Sequence, residues 1–301
     1  MGTAYKQTGR QEAIKIGLEI VGPKLFSFVK QTEEIISKKH DKTILVHCWR
    51  GGMRSANFAW LLNLAGIKTF TLQHGYKAYR NFVLKSFERD ATIIILGGET
   101  GSGKTEILKN IEESGEQIID LENLANHKGS AFGSLGEKPQ PTQEQFENDL
   151  SFHLNKIDLS KRLWLEDESR TIGTCQLPNP LWEKMKLAPI IRIKLSKEER
   201  IKRLMNDYGN FSKEQLANCI LKIEKRLGPQ NAKEALEELE KGNLDKVADI
   251  TLSYYDKAYD YNHEKRNFKD VFFVECENAN SKLNSEKAIE FANKKIKKEY
   301  V

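Results

Sequence analysis

Apolar residues along this chain alternate between short unbroken runs and stripes spaced three and four residues apart, the pattern of strands followed by helices. Thr43 to His47 (TILVH) predicts a short buried strand. Ser55 is placed to cap the next helix, in which Phe58, Leu61, Leu62 and Ala65 follow the helical period until Gly66 stops it. Thr69 to Leu72 predicts another strand, and a helix from about Lys77 to Phe87 leads to the apolar run Ala91 to Leu96 (ATIIIL). A second series begins there. Its first helix carries Ile107, Leu108 and Ile111, and Gln117 to Leu121 follows as a strand. Ala125 to Thr142 is rich in Gly, Ser and Pro and predicts a long loop, a feature that in a compact domain goes with function or mobility. Thr142 and Gln145 have capping-box spacing ahead of a further helix. Leu163 to Leu165 predicts a buried strand running into Glu166, Asp167 and Glu168, and Pro189 to Leu195 predicts another. Three helices are expected over Ser196 to Asn262, the middle one striped by Leu216, Ile220, Ile223 and Leu227; Val271 to Val274 is a late strand, and a Lys-rich helix ends the chain. The fold class expected is α/β in two domains, 1–89 and 90–301, with the boundary near Arg89 and Asp90.

The turn after the ATIIIL run reads Gly98-Glu99-Thr100-Gly101-Ser102-Gly103-Lys104-Thr105 and fits the P-loop pattern G-x-x-x-x-G-K-[ST] between a buried strand and a helix. Glycines let backbone N–H groups wrap phosphate oxygens, and the helix N-terminus adds partial positive charge. Gly98, Gly101, Gly103, Lys104 and Thr105 are therefore the candidate phosphate-binding residues, with Thr105 also able to ligate Mg²⁺. The motif indicates phosphate without naming the compound. Glu166 and Asp167, at the end of an apolar strand, resemble the carboxylates that hold Mg²⁺ beside such a loop, the plainer alternative being a solvated strand end.

Cys48-Trp49-Arg50-Gly51-Gly52-Met53-Arg54-Ser55 also follows a strand and opens a helix. Backbone N–H groups, a helix N-terminus and the charges of Arg50 and Arg54 all favour the thiolate of Cys48, and would hold a persulfide or perselenide anion in the same way. The plainer alternative is a buried thiol beside an incidental Gly-Gly turn. Cys219 falls beside an apolar stripe, Cys276 ends a strand and Cys175 lies in a predicted loop, so none shares this setting.

Composition bounds these readings. The 301 residues are 39% hydrophobic and 30% charged, with no apolar run long enough for a membrane span. The N-terminus has no apolar core of a signal peptide, and Lys6 stands where a myristoylation motif needs Ser or Thr. Four widely spaced cysteines without a CxxC pair suit a reducing cytoplasm better than a disulfide framework or a zinc site. A net charge of +5 permits an RNA partner where the positive charge is clustered. Lys287, Lys294, Lys295, Lys297 and Lys298 read first as a solvated helix face and second as a phosphate-contacting tail.

The loop C-x-R-G-G-x-R-S resembles the active-site loop of rhodanese-type sulfurtransferases, and its combination with a P-loop in one chain resembles the bacterial tRNA 2-selenouridine synthase family. Further segments carry the likeness: Gly2 to Gly17 (GTAYKQTGRQEAIKIG), Gly75 to Arg80 (GYKAYR), Asp120 to Gly133 (DLENLANHKGSAFG), Gln140 to Phe146 (QPTQEQF) and Glu166 to Gly173 (EDESRTIG). The resemblance implies a partial rhodanese-like domain over 1–89 and a P-loop domain with C-terminal helices over 90–301. It implies a selenotransferase that S-geranylates the 2-thiouridine of a tRNA wobble position with geranyl diphosphate, then exchanges the S-geranyl group for selenium from selenophosphate. The tRNAs implied are Lys, Glu and Gln isoacceptors. The family's selenium-carrying cysteine, as S-selanylcysteine, falls on Cys48. Family members carry some tens of residues ahead of the Gly2 segment, including a first rhodanese strand, so the rhodanese half is expected to be short of that strand. Lys77, Arg80, His127 and Lys128 are the expected tRNA contacts, with His127 to Gly136 as a lid. No cofactor beyond Mg²⁺ is called for, and a monomer is the default. Two other functions fit the same motifs: a thiosulfate sulfurtransferase fused to a P-loop kinase, and a phosphate-responsive RNA-binding module in which Cys48 is inert.

Overall fold

The chain opens with helices over residues outside the strand-and-helix pattern read above: α1 (Gly2–Thr8), α2 (Arg10–Val21) and α3 (Leu25–Ser37), broken at Gly9 and at the Gly22–Lys24 turn. The computed structural model describes residues 2–265 and 271–296, and these fall into two compact units, Met1–Phe82 and Val83–Val301.

In the first unit, β1 (Ile44–Val46) crosses over through α4 (Met53–Leu64) to β2 (Thr69–Thr71), and the two strands pair in parallel with Ile44 opposite Thr69. Helix α4 starts earlier than its sequence suggests. Gly52 occupies the cap position and Ser55 lies inside the first turn, buried with Ala59 and Leu62, while Ala65 is exposed. Ser55 is thus no cap; its hydroxyl oxygen lies 3.1 Å from the Gly52 carbonyl and within reach of Cys48. Helix α5 (Gly75–Ser86) follows, and the division between units falls within it. Its end belongs to the second unit: Ser86 Oγ donates to Ser151 Oγ (2.8 Å), and Arg89 Nη1 to Asn155 Oδ1 (3.0 Å).

The second unit is built on β3 (Ile93–Gly98), buried along its whole length. After it come α6 (Lys104–Glu113), β4 (Gln117–Ile119), α7 (Leu121–Ala125), α8 (Gln143–Leu154), β5 (Leu163–Glu166), the hairpin β6 (Thr171–Ile172) and β7 (Cys175–Gln176), α9 (Asn179–Leu187) and β8 (Ile190–Lys194). Then α10 (Lys197–Tyr208), α11 (Lys213–Leu227), α12 (Pro229–Lys241), α13 (Leu244–Lys265), β9 (Val271–Glu275) and α14 (Ser281–Lys295) complete it. The five-stranded sheet has the order β4-β5-β3-β8-β9, with every pair parallel. The order reverses at β3, and in such sheets ligands bind beyond the carboxyl ends of the strands at that switch point. Ile94 and Leu96 of β3, Trp164 of β5 and Ile191 and Ile193 of β8 pack with Ile107, Leu108 and Ile111 of α6 and Ala288 and Ala292 of α14. A second core joins α11, α12 and α13, with Phe132 and Leu135 of the Gly/Ser-rich loop packed against it.

Several local expectations are corrected. Leu121 begins a helix, because Asp120 Oδ1 accepts from Asn123 N (2.8 Å) and caps it. Thr142 caps α8, but the Gln145 side chain turns to Asp149 (2.8 Å) and leaves the capping box half made. Cys175 lies in a short strand and is fully buried. Four helices, not three, fill the stretch after β8, because Gly228 at φ +94° followed by Pro229 ends α11 and starts α12. In the Lys-rich helix, Lys287 donates to the Glu275 carbonyl and Lys294 pairs with Glu290; Lys297 and Lys298 lie outside the described residues.

Replacing Ile94, 1% exposed in the sheet core, by Ala should lower unfolding stability of this unit by about 2–5 kcal/mol. The same change at Leu45, 60% exposed on β1, should cost no more than about 0.5 kcal/mol. Chemical denaturation followed by tryptophan fluorescence measures both.

Candidate functional site

In the first unit the strand β1 delivers Cys48 to the start of α4. Gly52 N donates to Cys48 Sγ (3.3 Å), and Ser55 Oγ lies 3.2 Å from the same sulfur. The Ser55 side chain, and then backbone N–H groups of Ser55, Gly52 and Arg50, bring the thiol down to about 6 against a weaker opposing effect of burial. A second constraint holds the loop. Tyr76 N and Lys77 N, at the start of α5, donate to the carbonyls of Cys48 and Trp49 (both 2.9 Å). The backbones touch so closely that a Cβ on Gly75 would lie 2.2 Å from Gly51 N and 2.3 Å from the Cys48 carbonyl oxygen. Both glycines have φ near +65° (Gly51 +64°, Gly75 +68°), so neither position accepts another residue without moving the loop. Trp49, Tyr76, Tyr79 and His47 form an aromatic group beside it, with ring centroids 5.5–6.0 Å apart. Arg50 is exposed on the loop and Arg54 on the first turn of α4.

In the second unit Gly98 to Thr105 forms the turn from β3 to α6, with Gly101 at φ +83° and Gly103, the cap of α6, at φ +81°. Lys104 Nζ donates to the Gly98 carbonyl (3.0 Å), which leaves the ammonium two further donors for an anion. The loop borders a cavity of about 720 Å³ that Gly98, Gly101, Gly103, Lys104 and Thr105 all line.

The carboxylates around this cavity differ in role. Glu166 faces away from it. Fully buried, it accepts from Leu121 N (3.0 Å) and Glu122 N (3.3 Å) at the start of α7, and does not line the cavity. That corrects its assignment as a metal or phosphate ligand: alternation along β5 turns Glu166 under a helix N-terminus and leaves the next residue facing the loop. Asp167 does line the cavity, and its Oδ2 accepts from the Tyr259 hydroxyl (2.8 Å). The same hydroxyl accepts from Gly98 N (2.9 Å), so Tyr259 links the acid to the phosphate loop. Glu122 Oε2 accepts from Thr105 Oγ1 (2.9 Å) and hydrogen-bonds the Glu168 carboxyl. Burial raises Glu122, with a smaller push from Asp120, and burial followed by the nearby Glu122 carboxylate raises Glu168 well above the usual carboxylate range.

Among the described residues no three Asp, Glu, His or Cys side chains form a group that could hold a metal ion by themselves. A magnesium ion beside a P-loop takes few protein ligands and fills its shell with phosphate oxygens and water. Thr105 and Asp167 are hard oxygen donors on one cavity and fit that use.

The profile described as the AAA domain of tRNA 2-selenouridine synthase matches residues 91–289. A tRNA 2-selenouridine synthase of Pseudomonas fluorescens is 33% identical over 302 residues, covering 88% of this chain and 80% of its own length. This chain belongs to the tRNA 2-selenouridine synthase family. A member from Sulfurovum sp. is 34% identical over 307 residues, covering 91% and 82%, and one from Shewanella frigidimarina is 33% identical over 306, covering 90% and 82%. Among solved structures, an uncharacterized protein of Eubacterium ventriosum aligns with 67% of this chain at 15% identity and a TM-score of 0.30.

The remaining site candidates of this tRNA 2-selenouridine synthase family member divide between the units. Lys77 is exposed and Arg80 half-buried on α5. His127 and Lys128 line the same cavity as the Gly98 to Thr105 loop. Burial, and then nearby Lys222, holds His127 below its ordinary value, so it faces the cavity neutral. Lys128 pairs with Glu137 (3.3 Å). Sequence reasoning missed Arg203, which lines the cavity so close to the loop that a Cβ on Gly103 would lie 2.9 Å from its guanidinium. It also missed Arg200, bound to Asp256 by two hydrogen bonds (2.8 and 2.9 Å) and donating to the Thr100 carbonyl (3.3 Å). The i,i+3 spacing of these arginines on α10 was the available signal. Among the described residues no helix is long and apolar enough to cross a membrane.

The lowered thiol gives a pH signature. Cys48 should react with iodoacetamide at a rate half-maximal near pH 6, and Ser55→Ala should move that midpoint upward, because the largest stabilising contact to the thiolate is lost. Burial raises Cys175, Cys219 and Cys276, so mass spectrometry below pH 7 should find Cys48 labelled first.

Proposed function

We propose that this chain converts 2-thiouridine at the wobble position of tRNA to 2-selenouridine, as its relatives' name indicates, in two steps with separate machinery. The P-loop cavity binds geranyl diphosphate. The thiocarbonyl sulfur of 2-thiouridine attacks the first carbon of the geranyl group, the carbon–oxygen bond to diphosphate breaks, the diphosphate leaves with the electron pair, and the N3 proton of the base is lost to solvent. Lys104, the loop N–H groups and Arg203 stabilise the charge that develops on it, and Mg²⁺ near Thr105 and Asp167 would add to this when bound. Selenophosphate then attacks C2 of the S-geranylated base through selenium; the C2–S bond breaks, geranyl thiol leaves after taking a proton, and water removes the phosphoryl group from selenium as phosphate. Cys48, with Arg50 and Arg54 beside it, is the residue assigned to this exchange. Lys77, Arg80, His127 and Lys128 contact the tRNA, a Lys, Glu or Gln isoacceptor.

The observation behind this assignment is the coexistence, in a member of this family, of a thiol tuned to about 6 and a preformed anion loop backed by arginine. A simple sulfurtransferase has no need of the second, and an RNA-binding module has no need of the first.

Separate machinery predicts separable losses. Cys48→Ser should abolish selenation and leave geranylation intact, because alkylating a thiocarbonyl sulfur requires no enzyme nucleophile. Lys104→Ala should slow geranylation by about 10²–10³, the cost of one lost transition-state contact to a developing anion. Nucleoside mass spectrometry on a 2-thiouridine anticodon stem-loop reads both steps; loss of both in folded Cys48→Ser would refute the division of roles.

A further inference from the structure

A second, smaller cavity of about 70 Å³ adjoins the phosphate cavity, and its walls are apolar: Phe132 of the Gly/Ser-rich loop, Met205 of α10, and Leu244 and Val247 of α13 contribute to it. Thr100, Ser130, Leu204, Tyr208 and Tyr255 line both cavities. Thr100 is itself a P-loop residue, so the site for phosphate and the apolar recess are separated by the width of one side chain.

Three of the hydroxyls on this recess are engaged within the protein. Thr251 Oγ1 donates to the Val247 carbonyl (2.9 Å). The Tyr255 hydroxyl accepts from Ala131 N (3.2 Å), and Ser130 Oγ from Phe132 N (3.2 Å). A nucleobase or sugar needs several polar groups to fix it, and a recess walled mainly by apolar side chains, with three of its hydroxyls engaged internally, offers it few. An aliphatic chain needs none, and gains by leaving water.

We propose, resting on the assignment of a prenyl diphosphate to the P-loop, that this recess is the subsite for the far end of the prenyl tail. The diphosphate lies on the loop and Lys104, the chain passes Thr100 and Leu204, and its terminal branched unit lodges among Phe132, Met205 and Val247. The Gly/Ser-rich segment then serves both ends of one ligand. His127 and Lys128 lie at the phosphate end and Phe132 at the tail.

Calorimetric titration of the full chain with inorganic pyrophosphate and with geranyl diphosphate separates head from tail. The unmodified chain should bind geranyl diphosphate at least about tenfold more tightly than pyrophosphate. Ala248→Leu, which fills the recess, and Met205→Gln, which makes it polar, should each erase most of that advantage while pyrophosphate affinity stays as it was. Retained pyrophosphate binding reports a folded site; should one variant lose it through misfolding, the other decides. Lys104→Ala should weaken both ligands together. If both recess variants keep the full advantage, the tail lies elsewhere and the proposal falls, while the P-loop assignment stands. If geranyl diphosphate fails to bind the unmodified chain, or binds it and Lys104→Ala equally, the P-loop assignment fails and the tail site with it.

Discussion

Strand β3 is covered on both faces and hydrogen-bonded along both edges, so the chain can leave it only by a sharp turn at the sheet's carboxyl edge. The rest of the second unit depends on that constraint. The chain departs toward β4 and β5 on one side of β3 and later returns to β8 and β9 on the other, which opens a crevice over Gly98. Parallel register then fixes what lines it. Leu96 lies opposite Glu166, so the next residue, Asp167, donates its N–H to the Leu96 carbonyl and projects beside the loop. Gly98 lies opposite Ile193, so the helix that follows β8 brings Arg200 and Arg203 across the turn.

The charges around the crevice follow from the same placement. Glu122, Asp167 and Glu168 meet Lys104 and Thr105 on one cavity, where carboxylate charge would oppose a bound anion. Burial, which raises Glu122 and Glu168, and the Tyr259 hydroxyl donated to Asp167 both reduce that opposition. The first unit solves a related problem with little burial. Cys48 is stabilised as an anion by hydroxyl and backbone donors at the start of α4.

Both loops were legible in the sequence because each is encoded locally, in glycines that permit a left-handed turn beside a strand and ahead of a helix. The strands of the sheet were legible for a similar reason: ATIIIL and PIIRIKL are continuous apolar runs. What the sequence did not disclose comes from topology or from very short elements. Tyr259, more than ninety residues after Asp167 (259 against 167), reaches it only because α13 folds back over the sheet edge. Glu166 and Asp167 are adjacent in sequence and opposite in fate, since a strand turns successive side chains to opposite faces. Helix α7 is too short for periodicity to show, so Leu121 read as strand. Ser55 read as a cap because capping residues and thiolate-stabilising hydroxyls are the same residue types; only its distance to Cys48 Sγ separates the roles. The family itself was legible through several segments spread between Gly2 and Gly173.

In the proposed function one chain alkylates 2-thiouridine and then exchanges the alkylated sulfur for selenium. The most direct test supplies the reactants in order to a 2-thiouridine anticodon stem-loop and follows the nucleoside by mass spectrometry. With geranyl diphosphate alone, S-geranyl-2-thiouridine should accumulate; on adding selenophosphate it should convert to 2-selenouridine. Selenation of 2-thiouridine without geranyl diphosphate, or an S-geranyl nucleoside that persists in the presence of selenophosphate, would contradict the account.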